Sequence, residues 1–482
     1  MKFLNKYIIV AGLGIIGFSS CKKDLLNPVP QTSISDASAF STPSRIQSQL
    51  LSLYGAMKGG GFYGGRFVIY GDIRGEDFIN ETSNLVTGSD VWALNPTNSA
   101  TGVLGLWAQA YTTINDCNVF LDGMAAGGNT VVSAALANNY VAEAKLVRAI
   151  SYYSLLQYYA RPFADGSGSK LGVPLRLTGI KGGGYSNLAR STVADVYTQI
   201  LKDLNDAEAG LPLNYTSAYN NTTRAHRNTA IALKTRVYLS MQQYANVITE
   251  ANKIVTPSAP FTATTGVAHA LQADITNVFK TPYTTSESIL SMPMTSTSGD
   301  NPGTQNQLGY YYSKVTGNGE FSLNASGIIA DAGWLPTDRR RSFISVTSGK
   351  TWLNTKYPTG SPYTDYVPVI RYSEVLLNLA EALARTSAGV DARAVALLNA
   401  VRQRSDPTTT FAPATQAALI SAIMNERRIE FLGEGLRNND LLRLLQNIPA
   451  KGTAQSKTPA DAGYIWPISA TELALNTLCT DN

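Results

Sequence analysis

NERRIEFLGEGLRNNDLLRL, running from Asn425 to Leu444, interleaves charge and leucine too tightly for an ordinary surface. Its first half is amphipathic, with Ile429 and Leu432 on one face and Leu436 following after a break at Gly433 and Gly435. Glu426, Arg427, Arg428 and Glu430 crowd around that face, while Arg437, Asp440 and Arg443 recur at three-residue spacing. Spacings of three and four set opposite charges side by side on a helix. Two readings fit: a solvated, salt-bridged helix, or paired charges that hold two packed helices in register. Phe431, Leu441, Leu442, Leu444 and Leu445 leave no wide polar face, which speaks for the second. Breaking such a buried pair costs roughly 3–5 kcal/mol. On that reading Glu426, Arg428, Glu430, Arg437 and Asp440 are structural and not catalytic.

The same stretch resembles the C-terminal signature of SusD/RagB-like outer-membrane nutrient-binding lipoproteins. Three other stretches agree with it in order: YVAEAKLVRAISYYSLLQYYARPF (Tyr140 to Phe163), IRYSEVLLNLAEALA (Ile370 to Ala384) and YIWPISATEL (Tyr464 to Leu473). The resemblance spans nearly the whole chain. It implies a mainly α, SusD-like fold, with tetratricopeptide-like helix pairs as scaffold and a loop-rich insertion carrying short strands. It also implies a lipid-anchored protein on the cell surface of the outer membrane. Such a protein captures an oligosaccharide or other nutrient and delivers it to a SusC-like TonB-dependent transporter.

Composition agrees with export. Charged residues make up 15% of the 482, below the typical ~25%. A net charge of +5 without any Lys/Arg-rich run is too dilute for nucleic acid. Lys2 and Lys6, the apolar Tyr7 to Phe18 and Ser19-Ser20-Cys21 read as a signal peptide over 1–20, ending at a lipidation cysteine, Cys21. Gly12, Gly14 and Gly17 match GxGxxG there, but Pro28 and Pro30 soon follow where a dinucleotide fold needs a helix. Cys117 and Cys479 remain, either as a disulfide or, the preferred reading, as two free thiols.

A tether over 21–35 leads into an N-terminal region, 36–255, that holds helical scaffold and early binding loops. Ile46 to Lys58 reads as a helix, Gly59 to Gly65 as a loop, and Tyr70 to Asn95 as mostly non-helical. A stripe of Ala142, Leu146, Ala149, Tyr153, Leu156 and Ala160 marks a second helix. Thr192-Val193-Ala194-Asp195 fits a capping box. Asn228 to Val255 reads as a helix pair turning near Gln242-Gln243, and Tyr372 to Arg385 with Asp391 to Arg404 as another. Between them, 256–368 is a loop-rich ligand-binding insertion, with strands expected at Ser288 to Met294 and Phe343 to Val346. Residues 369–482 complete a C-terminal helical region.

Catalysis finds little support. His226 and His269 are the only histidines, no GxSxG occurs, and Gly349-Lys350-Thr351 lacks the first glycine of a P-loop. Asp72, Glu76, Asp77 and Glu81 could furnish a glycosidase carboxylate pair, although loop hydrogen bonding or a calcium ion accounts for them as well. No cofactor is expected, a structural calcium aside. Binding is favoured over two alternatives: a surface hydrolase, and a tetratricopeptide-like protein adaptor. Aromatic rings stack on sugar faces while neighbouring amides and guanidiniums bond hydroxyls. The ligand residues expected are Arg74, Trp92 and Asn95 from the early loops and Tyr310, Tyr311 and Trp334 from the insertion. Taken one at a time, such rings usually pack in a core.

Overall fold

A stack of α-helices carries the scaffold of the computed structural model, which describes residues 36–482 except Tyr185. The leader, the tether and Cys21 lie outside the described residues. The helices α1 (Pro43–Met57), α3 (Thr101–Ala125), α4 (Ala134–Tyr159), α5 (Val193–Gly210), α6 (Arg227–Ser240), α7 (Tyr244–Ala251), α8 (Tyr372–Thr386), α9 (Ala392–Ser405) and α10 (Gln416–Glu430) pack mostly in succession. Among them α7 lies directly on α8, so the two expected helix pairs are neighbours despite the insertion between them. Arg236 of α6 forks onto Glu374 of α8 at 2.6 and 2.5 Å, and Asn378 donates to the Thr235 hydroxyl at 3.0 Å.

Local chemistry sets the helix ends. Thr192 and Asp195 form the expected capping box, each side chain accepting from the other's backbone N–H. Thr42, Asp391 and Thr415 accept first-turn N–H groups in the same way. Between α6 and α7 the chain reverses at Gln242, whose φ of 57° gives the turn expected there. The α4 stripe understates its helix: buried residues occur all around it, including Glu143, Arg148, Tyr152 and Tyr158, as befits a central helix.

One helix contradicts the reading of its sequence. Arg66–Ile73 forms α2 where the non-helical stretch was expected to start. Its β-branched, aromatic and glycine residues have weak helical propensity, so tertiary contact decides. A Cβ on Gly71 would sit 2.1 Å from the carbonyl oxygen of Gly435, so the two backbones touch. Gly433 and Gly435 take φ of 84° and 79°, the left-handed break between α10 and α11 (Arg437–Leu442).

Strands are short and paired in twos. β1 (Phe78–Asn80) pairs with β5 (Phe321–Leu323), β2 (Leu171–Pro174) with β3 (Arg190–Thr192), β4 (Ser288–Met292) with β8 (Val367–Arg371), and β6 (Ser345–Thr347) with β7 (Lys350–Trp352), all antiparallel. The β4–β8 pair returns the insertion to the scaffold. The expected strand from Phe343 instead begins at Ser345, after a 3₁₀ turn over Arg339–Phe343 whose Asp338 caps it. Gly349, at φ 75°, is the hairpin turn, not a phosphate loop.

The charges of the opening stretch are inside. Arg340 reaches Glu426 at 2.6 Å and Glu430 at 2.9 Å, Arg402 reaches Glu426 at 2.7 Å, and Arg404 reaches Glu430 at 2.5 Å. Arg371 contacts Glu287, Glu430 and Glu434, and Lys356 contacts Glu434 at 2.7 Å. Further along, Arg427 and Arg443 share Asp440, and Arg443 also holds Glu381 at 2.6 Å. Burial pushes the Asp440 carboxyl up, but Arg427 and Arg443 outweigh it and hold it at about 2. The cluster thus ties the insertion to α8, α9 and α10. A solvated helix is excluded.

Candidate functional site

Pairing of β1 with β5 sets Phe78 opposite Leu323 and Asn80 opposite Phe321, joining segments some 240 residues apart. The early loops and the insertion therefore share one face. At its base Glu320, fully buried, accepts from the Thr87 hydroxyl at 2.7 Å, the Asn318 amide at 2.6 Å and the Thr82 hydroxyl. Three donors from two segments satisfy a carboxylate that burial would otherwise penalise. Glu81 accepts from Ser322 at 2.5 Å and pairs with Lys350 of β7. Lys314 lies 5.9 Å above the Trp352 ring.

What this face shows to solvent is aliphatic and polar. Leu85, Val86, Val315 and Val346 are 64%, 44%, 66% and 71% exposed on its loops. Thr82 and Ser83 are exposed, and the Tyr310 ring is half-buried, edge-on to Tyr363 at 5.9 Å.

Four of the six expected ligand residues are elsewhere engaged. Arg74 is 1% exposed, donating to Asn438 at 2.8 Å and to the Gly463 and Tyr464 carbonyls. The Trp92 indole N–H donates to Phe78 O at 2.7 Å, and Lys451 lies 5.8 Å over its ring. Tyr311 is fully buried, its hydroxyl donating to Gln305 O at 2.9 Å. Trp334 is 2% exposed, its ring covered by the Arg341 guanidinium at 4.0 Å. None offers a free ring or guanidinium to a sugar, because each completes the packing beneath the loops. Only Asn95 and Tyr310 keep accessible surface. Sequence reasoning missed Glu320, Thr87 and Asn318, since a carboxylate that binds loops together looks like any other in an insertion rich in Thr, Ser and Asn.

The acidic candidates are also committed. Asp72 is buried and accepts from the Tyr312 hydroxyl at 2.8 Å; burial pushes its pKa up to about 8. Arg437 and Arg428 hold Glu76, outweighing its burial and keeping its carboxyl below the usual range. Asp77 accepts from Arg428 at 2.6 Å and from the Ile328 N–H at 2.7 Å. Among the described residues no group of three or more His, Cys, Asp or Glu could hold a metal ion. Cys117 and Cys479 are both buried and free, and burial pushes the Cys479 thiol up to about 11. No described helix is long and apolar enough to cross a membrane.

Comparison with known proteins places this architecture. Residues 286–482 match the SusD family, and residues 30–239 match a family described as starch-binding and associating with the outer membrane. A SusD superfamily protein from Bacteroides fragilis is 33% identical with a TM-score of 0.82, over 92% of this chain and 99% of that one. SusD-like protein P2 of Formosa agariphila is 24% identical, over 99% of this chain and 98% of its own. A laminarin-binding SusD-like protein, 21% identical, shares the fold at a TM-score of 0.70 over 92% of this chain and 99% of its own. The helix stack, the insertion folded back by β4–β8 and a relative at this identity over almost its full length agree, and the chain belongs to the SusD family.

Proposed function

We propose that this protein captures an oligosaccharide at the cell surface and passes it to a TonB-dependent outer-membrane transporter. It is held in the outer leaflet by lipid on Cys21. The observation that carries the reading is the β1–β5 junction, which makes one loop face from the early loops and the insertion. Rigid helices beneath and loops above are the usual arrangement for a recognition surface. Asn95 and Tyr310 remain on the accessible surface, and the Glu320 knot fixes the loops that carry Thr82, Ser83 and Leu85. The acids that a hydrolase would need are engaged internally, which favours binding over turnover. A capturing protein without a described membrane span needs a partner to move its ligand, and stable docking takes about 1,200–2,000 Å² of buried surface.

The test is a polysaccharide panel, laminarin first, presented to the full-length protein, because one structural neighbour is described as laminarin-binding. Retention that weakens on Tyr310→Ala and Asn95→Ala is expected. Mild-detergent purification from native membranes should also bring down a large barrel in roughly equal amount. Failure to retain any glycan, together with recovery of the lipoprotein alone after crosslinking in intact cells, would overturn the proposal.

A further inference from the structure

A cleft of about 490 Å³ opens between α3, the segment after β2, and the C-terminal helix α12 (Ala470–Leu475). Trp107 and Tyr111, one turn apart on α3, form its back wall with ring centroids 4.9 Å apart. Both rings are fixed. The Trp107 indole N–H donates to Glu472 Oε2 at 3.3 Å, and the Tyr111 hydroxyl donates to Pro174 O at 2.7 Å. Ile180 and Leu475 form the lips, 39% and 55% exposed. Asn115 holds the Ile180 lip in place by exchanging hydrogen bonds with its backbone at 2.8 and 3.0 Å.

The polar groups of the cleft divide into satisfied and unsatisfied. Arg176 is neutralised by Glu472 at 3.2 Å and donates to Ser186 at 2.8 Å, so it offers little to an anion. Asp116 is different: it is half-buried at the wall and has no hydrogen-bond or ion-pair partner among the described residues. Burial raises its pKa, the sign of a carboxyl short of donors.

A cleft of this size with apolar walls and a few placed polar groups is what a small ligand takes. The walls ask for an apolar edge, and Asp116 asks for a hydroxyl donor. We propose that the cleft binds a neutral pyranose bearing an apolar substituent: a deoxyhexose, or a hexose with an O-acetyl group. The substituent lies against Tyr111, Ile180 and Leu475, and a ring hydroxyl donates to Asp116. The assignment rests on the carbohydrate-binding reading above, but it uses none of the loop-face residues.

Calorimetric titration of the full-length protein tests it. The probes are methyl fucoside, methyl rhamnoside and mono-O-acetyl methyl glucoside, each beside its parent methyl galactoside, mannoside or glucoside. At least one substituted sugar should bind about tenfold more tightly than its parent, at the low end of what an apolar pocket discriminates for a hydroxyl removed or an alkyl group added. Ala108→Trp and Thr112→Trp fill the cleft from exposed positions on α3, so the fold is kept. Both should abolish that binding while leaving retention of polysaccharide by the loop face unchanged. Absence of binding by all three substituted sugars, or binding that survives both fillings at parental melting temperature, overturns the assignment. Deoxyhexose binding that the fillings abolish, in a protein that retains no polysaccharide, would instead keep the cleft and remove the loop-face proposal.

Discussion

The arginine–carboxylate junction and the loop face invert the usual partition of residue types. At the junction, Arg340, Arg371, Glu426 and Glu430 are no more than 2% exposed. On the loop face, Leu85, Val315 and Val346 are in water while Tyr311, Tyr312 and Trp334 are under cover. The difference lies in partners. Each junction charge meets two or more opposite charges at hydrogen-bond distance, so desolvation is offset. Each buried loop ring packs on other rings or under a guanidinium. The aliphatics outside stay in water, as singly placed surface aliphatics do.

The sharpest way to break this contrast is to remove one junction cation. Arg371→Met should cost roughly 3–5 kcal/mol in urea denaturation, because Glu287, Glu430 and Glu434 stay buried with fewer partners. Arg371→Lys should recover only part of that, since an ammonium lacks the guanidinium fork. Trp334→Ala comes next, at about 3 kcal/mol for an emptied core position. Its glycan retention should match the parent; a stable Trp334→Ala protein that loses retention would return this ring to the ligand face.

Titration separates a buried acid from two buried histidines by the sign of their effect. Asp72 has a folded pKa of about 8 against an ordinary 3.8, so the folded state binds more protons and stability falls as pH rises between those values. Asp72→Asn, which mimics the protonated acid, should flatten that slope of at most about 1.4 kcal/mol per pH unit. His226 and His269 stack at 5.2 Å, and burial lowers their pKa values to about 3 and 4 from 6.5. Their effect has the opposite sign, stability being lost as pH falls below 6.5. Thermal melts between pH 4 and 6.5, with His269→Phe beside the parent, check it: the variant should lose less.

The smallest effects belong to the loop surface. Leu85→Ser and Val346→Ser should change stability by no more than about 0.5 kcal/mol, because neither side chain is buried. If these exposed aliphatics contribute to ligand or transporter contact, retention or co-purification should weaken while the melting temperature holds. A fall of several degrees would mean that the loop face is packed like the junction and the contrast is false.

Periodicity by itself determined the helical scaffold. The helix pair within Asn228 to Val255, the pair from Tyr372 to Arg404, the turn at Gln242, the Thr192 cap and the break at Gly433 and Gly435 all rest on spacings within one or two turns. Those are local interactions that a sequence states directly. The opening stretch likewise announced that its charges are buried, because its leucines left no polar face.

Tertiary structure alone decided the rest. The partners of Glu426 and Glu430 are Arg340, Arg371, Arg402 and Arg404, which stand in the insertion, on β8 and on α9. No local rule pairs residues so far apart. Arg66–Ile73 became a helix through a backbone contact between Gly71 and Gly435. Rings that looked like sugar platforms turned inward, while Trp107 and Tyr111 came to line an open cleft. Whether an aromatic ring faces ligand or core depends on what the distant chain places over it, and that is settled only when the fold closes.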